Sequence, residues 1–153
     1  MAQAAGPGRT GIRLSPLTTF GGATPLDSDP QALYGYVVDQ LAPLGLAYIH
    51  VIEGATGGPR EVEGRPFDYA ALKAAYRAAG GKGAWMVNNA YTRELADAAL
   101  ANGADIVAFG RPFIANPDLV ARLKANAPLN EVNRATLYGG GAEGYTDYPA
   151  LSA

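Results

Sequence analysis

An α/β protein built on a parallel sheet is the fold class that this sequence predicts. Three observations predict it. Apolar runs of strand length alternate with segments of helical period, four times in succession. The second run, Leu46-Ala47-Tyr48-Ile49-His50-Val51-Ile52, is near-continuously apolar, which suits a strand covered on both faces. The helical segments open on Ser, Thr, Asp, Asn or Pro and close on Gly or Pro, the expected cap chemistry. The order reads β-α-β-α-β-α-β-α and a tail, and such alternation implies right-handed crossovers.

Residues 1–10 read as the last turn of a helix with a Gly-Pro-Gly exit, the remnant of a helix end, as if cut within a larger protein. Gly11 to Pro16 is the first strand, with Ile12 and Leu14 on one face and Arg13 and Ser15 on the other. Leu17 to Asp27 is a loop. Ser28 or Asp29 then caps a helix with Pro30 first and an apolar stripe of Leu33, Tyr34, Val37, Val38 and Leu41. Pro43 and Gly45 end it. After the second strand, Glu53 to Pro66 is a charged, Gly-rich loop whose length favours a lid or binding loop. Asp68 caps the next helix, over Leu72, Ala75, Tyr76 and Ala79, and Gly80-Gly81 closes it. Ala84 to Asn88 is the third strand. Thr92 caps a helix over Leu95, Ala96, Ala99 and Leu100, which stops at Gly103. Ile106 to Phe109 is the fourth strand. Asn116 and Pro117 open the last helix, with Leu119, Val120 and Leu123 on its apolar side. The tail, 129–153, has no period.

Composition narrows the function. The chain has 153 residues, 48% of them apolar and 17% charged, which suits one domain with a packed core. A net charge of −2 argues against a nucleic-acid partner. There is no cysteine and one histidine, so no metal site is expected. No apolar run reaches membrane-span length and no signal peptide is visible, so no membrane association and a cytoplasmic location are expected.

Polar groups and glycines gather where the strands end: Arg13 to Pro16, Glu53-Gly54, Asn88-Asn89-Ala90 and Gly110-Arg111. Ligands collect at that edge in a small doubly wound sheet and in half of a (βα)8 barrel alike. Gly110-Arg111 suits a phosphate, since glycine admits close backbone approach and arginine offers a planar donor fork; a βα turn with a solvated arginine is the alternative. A half-barrel leaves two strand edges unpaired and its inner face uncovered, so it needs a second half to close.

Four motifs carry a family resemblance: Gly11-Ile-Arg-Leu-Ser-Pro16; Tyr48-Ile-His-Val-Ile-Glu53; Ala108-Phe-Gly-Arg111 with Ile114-Ala-Asn-Pro-Asp-Leu119; and Ala142-Glu-Gly-Tyr-Thr-Asp-Tyr-Pro149. The sequence resembles the C-terminal half of the Old Yellow Enzyme family of FMN-dependent ene-reductases, in its bacterial N-ethylmaleimide reductase-like branch. The resemblance runs from about Arg9 onward. It implies a (βα)8 TIM-type barrel, of which this chain would supply strands five to eight and a C-terminal tail packing on the barrel. It implies FMN as cofactor and NAD(P)H as hydride donor. Arg13 falls on the strand-five arginine that meets the flavin pyrimidine. Gly110 and Arg111 fall on the phosphate site after strand eight. Asn89 and Ala90 fall on the turn completing that site, where relatives usually carry glycine at the position of Asn89; asparagine tolerates the left-handed backbone. Tyr138 falls on a tyrosine lining the substrate pocket, a role for which a tail aromatic on the barrel rim is the alternative. The Glu53–Pro66 loop corresponds to a segment covering the active site.

A charged Arg13 in a buried strand needs a compensating partner, which a flavin edge supplies; a structural carboxylate paired with it is the alternative. His50 is expected to be a hydrogen-bonded structural histidine. No His-x-x-Asn or His-x-x-His pair occurs, so no catalytic residue is expected in this chain, which alone should not reduce alkenes. The resemblance thus implies the C-terminal part of a split ene-reductase, with a complementary N-terminal half-barrel as partner and a small activated alkene as substrate. A non-catalytic, self-associating half-barrel and a phosphate-binding half with non-redox chemistry are the alternatives.

Overall fold

The structure is a computed structural model and describes residues 2–18 and 27–151. Of the loop expected over Leu17 to Asp27, residues 19–26 lie outside the described residues. The chain divides into two compact units, Met1–Ala108 and Phe109–Ala153.

The first unit holds a sheet of four strands, β1 (Gly11–Leu14), β2 (Tyr48–Ile52), β3 (Ala84–Asn88) and β4 (Ile106–Val107). Their order is β1-β2-β3-β4, and every pairing is parallel. Register sets Arg13 beside His50, His50 beside Met86 and Met86 beside Ile106. The next row runs Leu14, Val51, Val87 and Val107. Successive rows face opposite sides. The Leu14 row and the row of Ile12, Ile49 and Trp85 face the helices. Ile49 and Val51 are fully buried there, and Trp85 packs 5.9 Å from Tyr76 between ring centroids. The Arg13 row faces the other side, where Arg13 and Ile106 are exposed and His50 and Met86 only half-buried.

Around the sheet lie α1 (Ala2–Ala5), α2 (Pro30–Leu41), α3 (Tyr69–Ala78) and α4 (Arg93–Ala101). The caps are those predicted. Asp29 accepts from the Ala32 N–H, Asp68 from Ala71 and Thr92 from Leu95, each contributing about 1 kcal/mol. Gly45 stands at φ 64° after α2 and Gly80 at φ 89° after α3, where left-handed backbone suits glycine. The predicted stripes are wider than the faces buried. Val38, Leu72, Tyr76 and Ala96 are buried, but Leu33, Leu95 and Leu100 are exposed. A helix covering one layer buries only the positions that meet the sheet or its neighbour.

In the second unit the single helix expected from Asn116 is replaced by two, α5 (Arg111–Ala115) and α6 (Leu119–Ala125). Asn116 does not cap because its side chain is used elsewhere. Its Nδ2 donates to the Pro112 carbonyl at 2.7 Å, and its Oδ1 accepts from the Asn130 N–H at 2.7 Å. Pro117 then breaks the ladder, and α6 starts after Asp118. Val120, expected on the apolar side, is exposed, whereas Arg122 is buried. Its guanidinium bonds Asp118 and the carbonyls of Pro128 and Pro149 at 2.7–2.8 Å. Asp118 also accepts from the Leu151 N–H. That bond and Arg122 hold its carboxyl below the usual range and fix the end of the tail to α6. The fourth strand stops at Val107 instead of Phe109, and the Ala108 carbonyl accepts from the Asn88 side chain at 2.7 Å.

Candidate functional site

The site is assembled where the strands end. Glu53 follows β2 directly. Its Oε2 accepts from Arg60 Nη2 at 2.6 Å and from the Tyr91 hydroxyl at 2.7 Å. The Arg60 guanidinium lies 4.2 Å from the Tyr91 ring centroid. Burial, and then the bond to Glu53, pushes the Tyr91 hydroxyl above the ordinary phenol range, so it stays a donor at neutral pH. Tyr69 accepts the Gly54 N–H at 2.6 Å, and burial raises its hydroxyl too. Gly54 stands at φ 69°, and a Cβ there would strike the Pro59 and Arg60 backbone. The loop therefore folds tightly onto its own start.

Asn89 and Ala90 leave β3 with φ 133° and 49°. The left-handed turn expected there is present. The Asn89 side chain does something the sequence did not reveal. It is buried, and its Nδ2 donates to the Glu53 carbonyl at 2.6 Å and the Ala55 carbonyl at 3.1 Å, with Gly58 at 3.4 Å. The turn after β3 thereby holds the loop after β2. The sequence signal for this cluster was available in Glu53 and Tyr91, polar groups flanking buried strand ends.

Two expectations are corrected on the sheet's open side. Arg13 is exposed, not buried, on a strand that stands at the edge of the sheet among the described residues. His50 is not hydrogen-bonded at Nε2, which is buried without a partner. Burial, and secondarily Arg13, lowers its pKa, so the imidazole is neutral at pH 7.

Gly110 and Arg111 are exposed in the second unit, and Arg111 is the first residue of α5. Gly110 has an ordinary φ of −103°, and a Cβ there would meet nothing within 4 Å. Nothing described in the chain itself demands a glycine. Tyr138 is 93% exposed. Arg13, Asn89 and Ala90 thus belong to the first unit and Gly110, Arg111 and Tyr138 to the second. Among the described residues, no group of three or more metal-ligating side chains exists.

A parallel α/β sheet with polar groups and left-handed turns at its strand ends defines an α/β protein of the barrel or wound-sheet class, folds whose ligands collect at that edge. Comparison with known proteins decides which. The sequence profile of the NADH:flavin oxidoreductase / NADH oxidase family matches residues 1–130, and the chain belongs to that family. It is 38% identical to 12-oxophytodienoate reductase 2 of Arabidopsis thaliana, covering 100% of this chain and 40% of that protein. Among solved structures, morphinone reductase matches at 41% identity and a TM-score of 0.80, over 98% of this chain and 38% of that one. The Old Yellow Enzyme homologue of Zymomonas mobilis matches at 36% identity and a TM-score of 0.85, over 98% and 41%. The four strands match part of an Old Yellow Enzyme TIM barrel, and this chain spans about two fifths of such relatives. The family uses FMN and NAD(P)H.

Proposed function

We propose that this chain is the C-terminal part of an FMN-dependent ene-reductase, supplying strands five to eight of the barrel. With a complementary N-terminal half-barrel it would bind FMN and reduce a small activated alkene with NAD(P)H. The carrying observation is the sheet itself. Among the described residues, β1 and β4 are paired on one side only, and the face bearing Arg13 is exposed. Such edges and such a face require covering.

The residues present fit the flavin. Arg13 presents an uncompensated guanidinium on the open face, suited to an electron-rich ring edge and to stabilising negative charge on the reduced cofactor. The unfilled space at Gly110 and the exposed Arg111 beside it suit a phosphate. FMN, when bound, relays hydride from NAD(P)H to the alkene. Ala90 would offer backbone to the phosphate. Asn89 would shape that turn, its side chain being committed to the loop. Tyr138 would border the substrate. Residues that activate the substrate would come from the partner half, since no His-x-x-Asn or His-x-x-His pair occurs here.

The test is to mix this chain with the preceding half of a family member. Quenched flavin fluorescence and NADPH-dependent enone reduction in the mixture alone are expected. A stable flavin-free homodimer indifferent to the added half would instead support a self-associating module, which the two free sheet edges also allow. Arg111→Ala should weaken FMN binding by about 1.5–3 kcal/mol; unchanged affinity would remove Arg111 from the phosphate site.

A further inference from the structure

We propose that the cavity beneath the Glu53–Pro66 loop is an anion subsite, taking a small molecule with a carboxylate or phosphate on a ring-sized apolar body. The cavity measures about 900 Å3, and its walls include Leu17, Arg60, Val62, Arg65, Phe67 and Tyr69. That volume is in the range of small-molecule pockets. Every wall residue named belongs to the first unit.

Unsatisfied donors point to the ligand's chemistry. Arg65 Nη1 and Arg60 Nε are buried with no hydrogen-bond partner. A guanidinium offers only donors, and a buried donor left unpaired costs more than a made bond contributes. What these two nitrogens lack, among the described residues, is an acceptor, although the Glu53 and Glu61 carboxylates also line the cavity. The two arginines differ in charge balance. Arg60 is matched by Glu53 at 2.6 Å. Arg65 donates Nη2 to the Asp27 carbonyl at 3.1 Å, and no ion pair of the described residues includes it. Its positive charge therefore stands unneutralised at the cavity. Glu61 also borders the cavity but is exposed, so water solvates its carboxylate. A carboxylate or phosphate matches the planar arginine fork.

The apolar side of the cavity selects for a ring. Phe67 stands 4.7 Å from Tyr69 and 6.4 Å, edge-on, from Tyr34. Leu17 and Val62 complete an apolar wall. Within the first unit, none of Arg13, Asn89 and Ala90 is among the residues lining it, so the subsite does not share its walls with those residues.

The test is calorimetric titration of the chain with inorganic phosphate and, separately, with benzoate. Saturable binding is expected for at least one probe, with affinity reduced about tenfold or more in Arg65→Ala. Arg65→Lys, which keeps charge but loses the fork, should fall between. Lys82→Ala, exposed and outside the cavity, should match the wild type. Phosphate preference would assign a phosphorylated ligand, and benzoate preference an aromatic carboxylate. Circular dichroism melts identify variants that have lost their fold, and Arg65→Lys then replaces Arg65→Ala. Absence of saturable binding, or unchanged affinity in a folded Arg65 variant, would overturn the subsite. A parallel FMN titration, with and without saturating benzoate, keeps the two sites distinguishable. Flavin binding without anion binding refutes only the subsite.

Discussion

The two ends of the sheet are built differently. At its N-terminal end, Arg77 Nη1 donates to the carbonyls of Gly81 and Gly83 at 2.9 and 2.8 Å, and Nη2 to Asp105 at 2.9 Å. Asp105 also accepts the Trp85 N–H at 2.7 Å, and the Tyr76 hydroxyl accepts the Gly83 N–H at 3.1 Å. Lys73 reaches the Gly103 carbonyl. Gly81, Gly83, Gly103 and Asp105 all lie in the short connections between a helix and the next strand. At the C-terminal end, Glu53, Arg60, Asn89 and Tyr91 bond through a long loop. The buried side-chain nitrogens found without partners among the described residues are His50 Nε2, Arg60 Nε and Arg65 Nη1. Arg60 and Arg65 lie in that loop, His50 lies on the open face, and none belongs to the Arg77 cluster. A closed network needs nothing more, whereas unmet bonding capacity marks where other groups are to be received. This is the division expected of a barrel, with stability at one end and ligands at the other.

Substitutions at the two ends should therefore separate. The largest loss is expected from Gly83→Ala. A Cβ there would strike the Leu46 carbonyl and crowd the Tyr76 hydroxyl, at a cost of about 2–3 kcal/mol. Denaturant unfolding followed by the buried Trp85, the single tryptophan, measures it. A stability close to wild type would mean that this end yields more than described.

Tyr91→Phe comes next. It removes a donor to Glu53 but keeps the ring beneath Arg60, for about 1 kcal/mol. Its signature is local: trypsin should cut faster at Arg60 while cleavage at Arg77 stays slow. Equal acceleration at both sites would erase the contrast between the ends.

Asn89→Gly should change global stability least among the substitutions. Glycine relieves a φ of 133° but gives up three side-chain bonds, and the two effects oppose each other at about 1 kcal/mol each. Faster hydrogen exchange confined to residues 53–60 is the expected result, and a protected loop would show that Asn89 does not hold it. The gentlest probe is pH. His50 has its folded pKa below its ordinary 6.5, so the unfolded chain binds the proton more readily. Stability should be full above pH 6.5 and decline as pH falls below it. His50→Gln should flatten that slope, and an unchanged slope would locate it elsewhere.

Local chemistry made much of this legible from sequence. The strand Ala84–Asn88 and the caps Asp29, Asp68 and Thr92 lie where propensity and side-chain oxygens put them. What escaped was decided by distant partners. Asn116 looks like a cap until Asn130 claims its side chain. Asn89 looks like a left-handed turn residue, and it is one, but its amide reaches a loop more than thirty positions away. The length of β4 and the exposure of Arg13 are set at the sheet's edges, by what packs there rather than by the strand's own residues, which no local pattern encodes.

The strand order carries one more consequence. Each strand pairs only with the strands adjacent to it in sequence. Nothing in the sheet waits for a segment synthesised much later. As the chain leaves the ribosome, β2 can dock on β1, then β3 on β2, each adding one helical layer before the next appears. Assembly by accretion in this manner leaves a growing end until β4 arrives, and among the described residues β4 itself pairs on one side only.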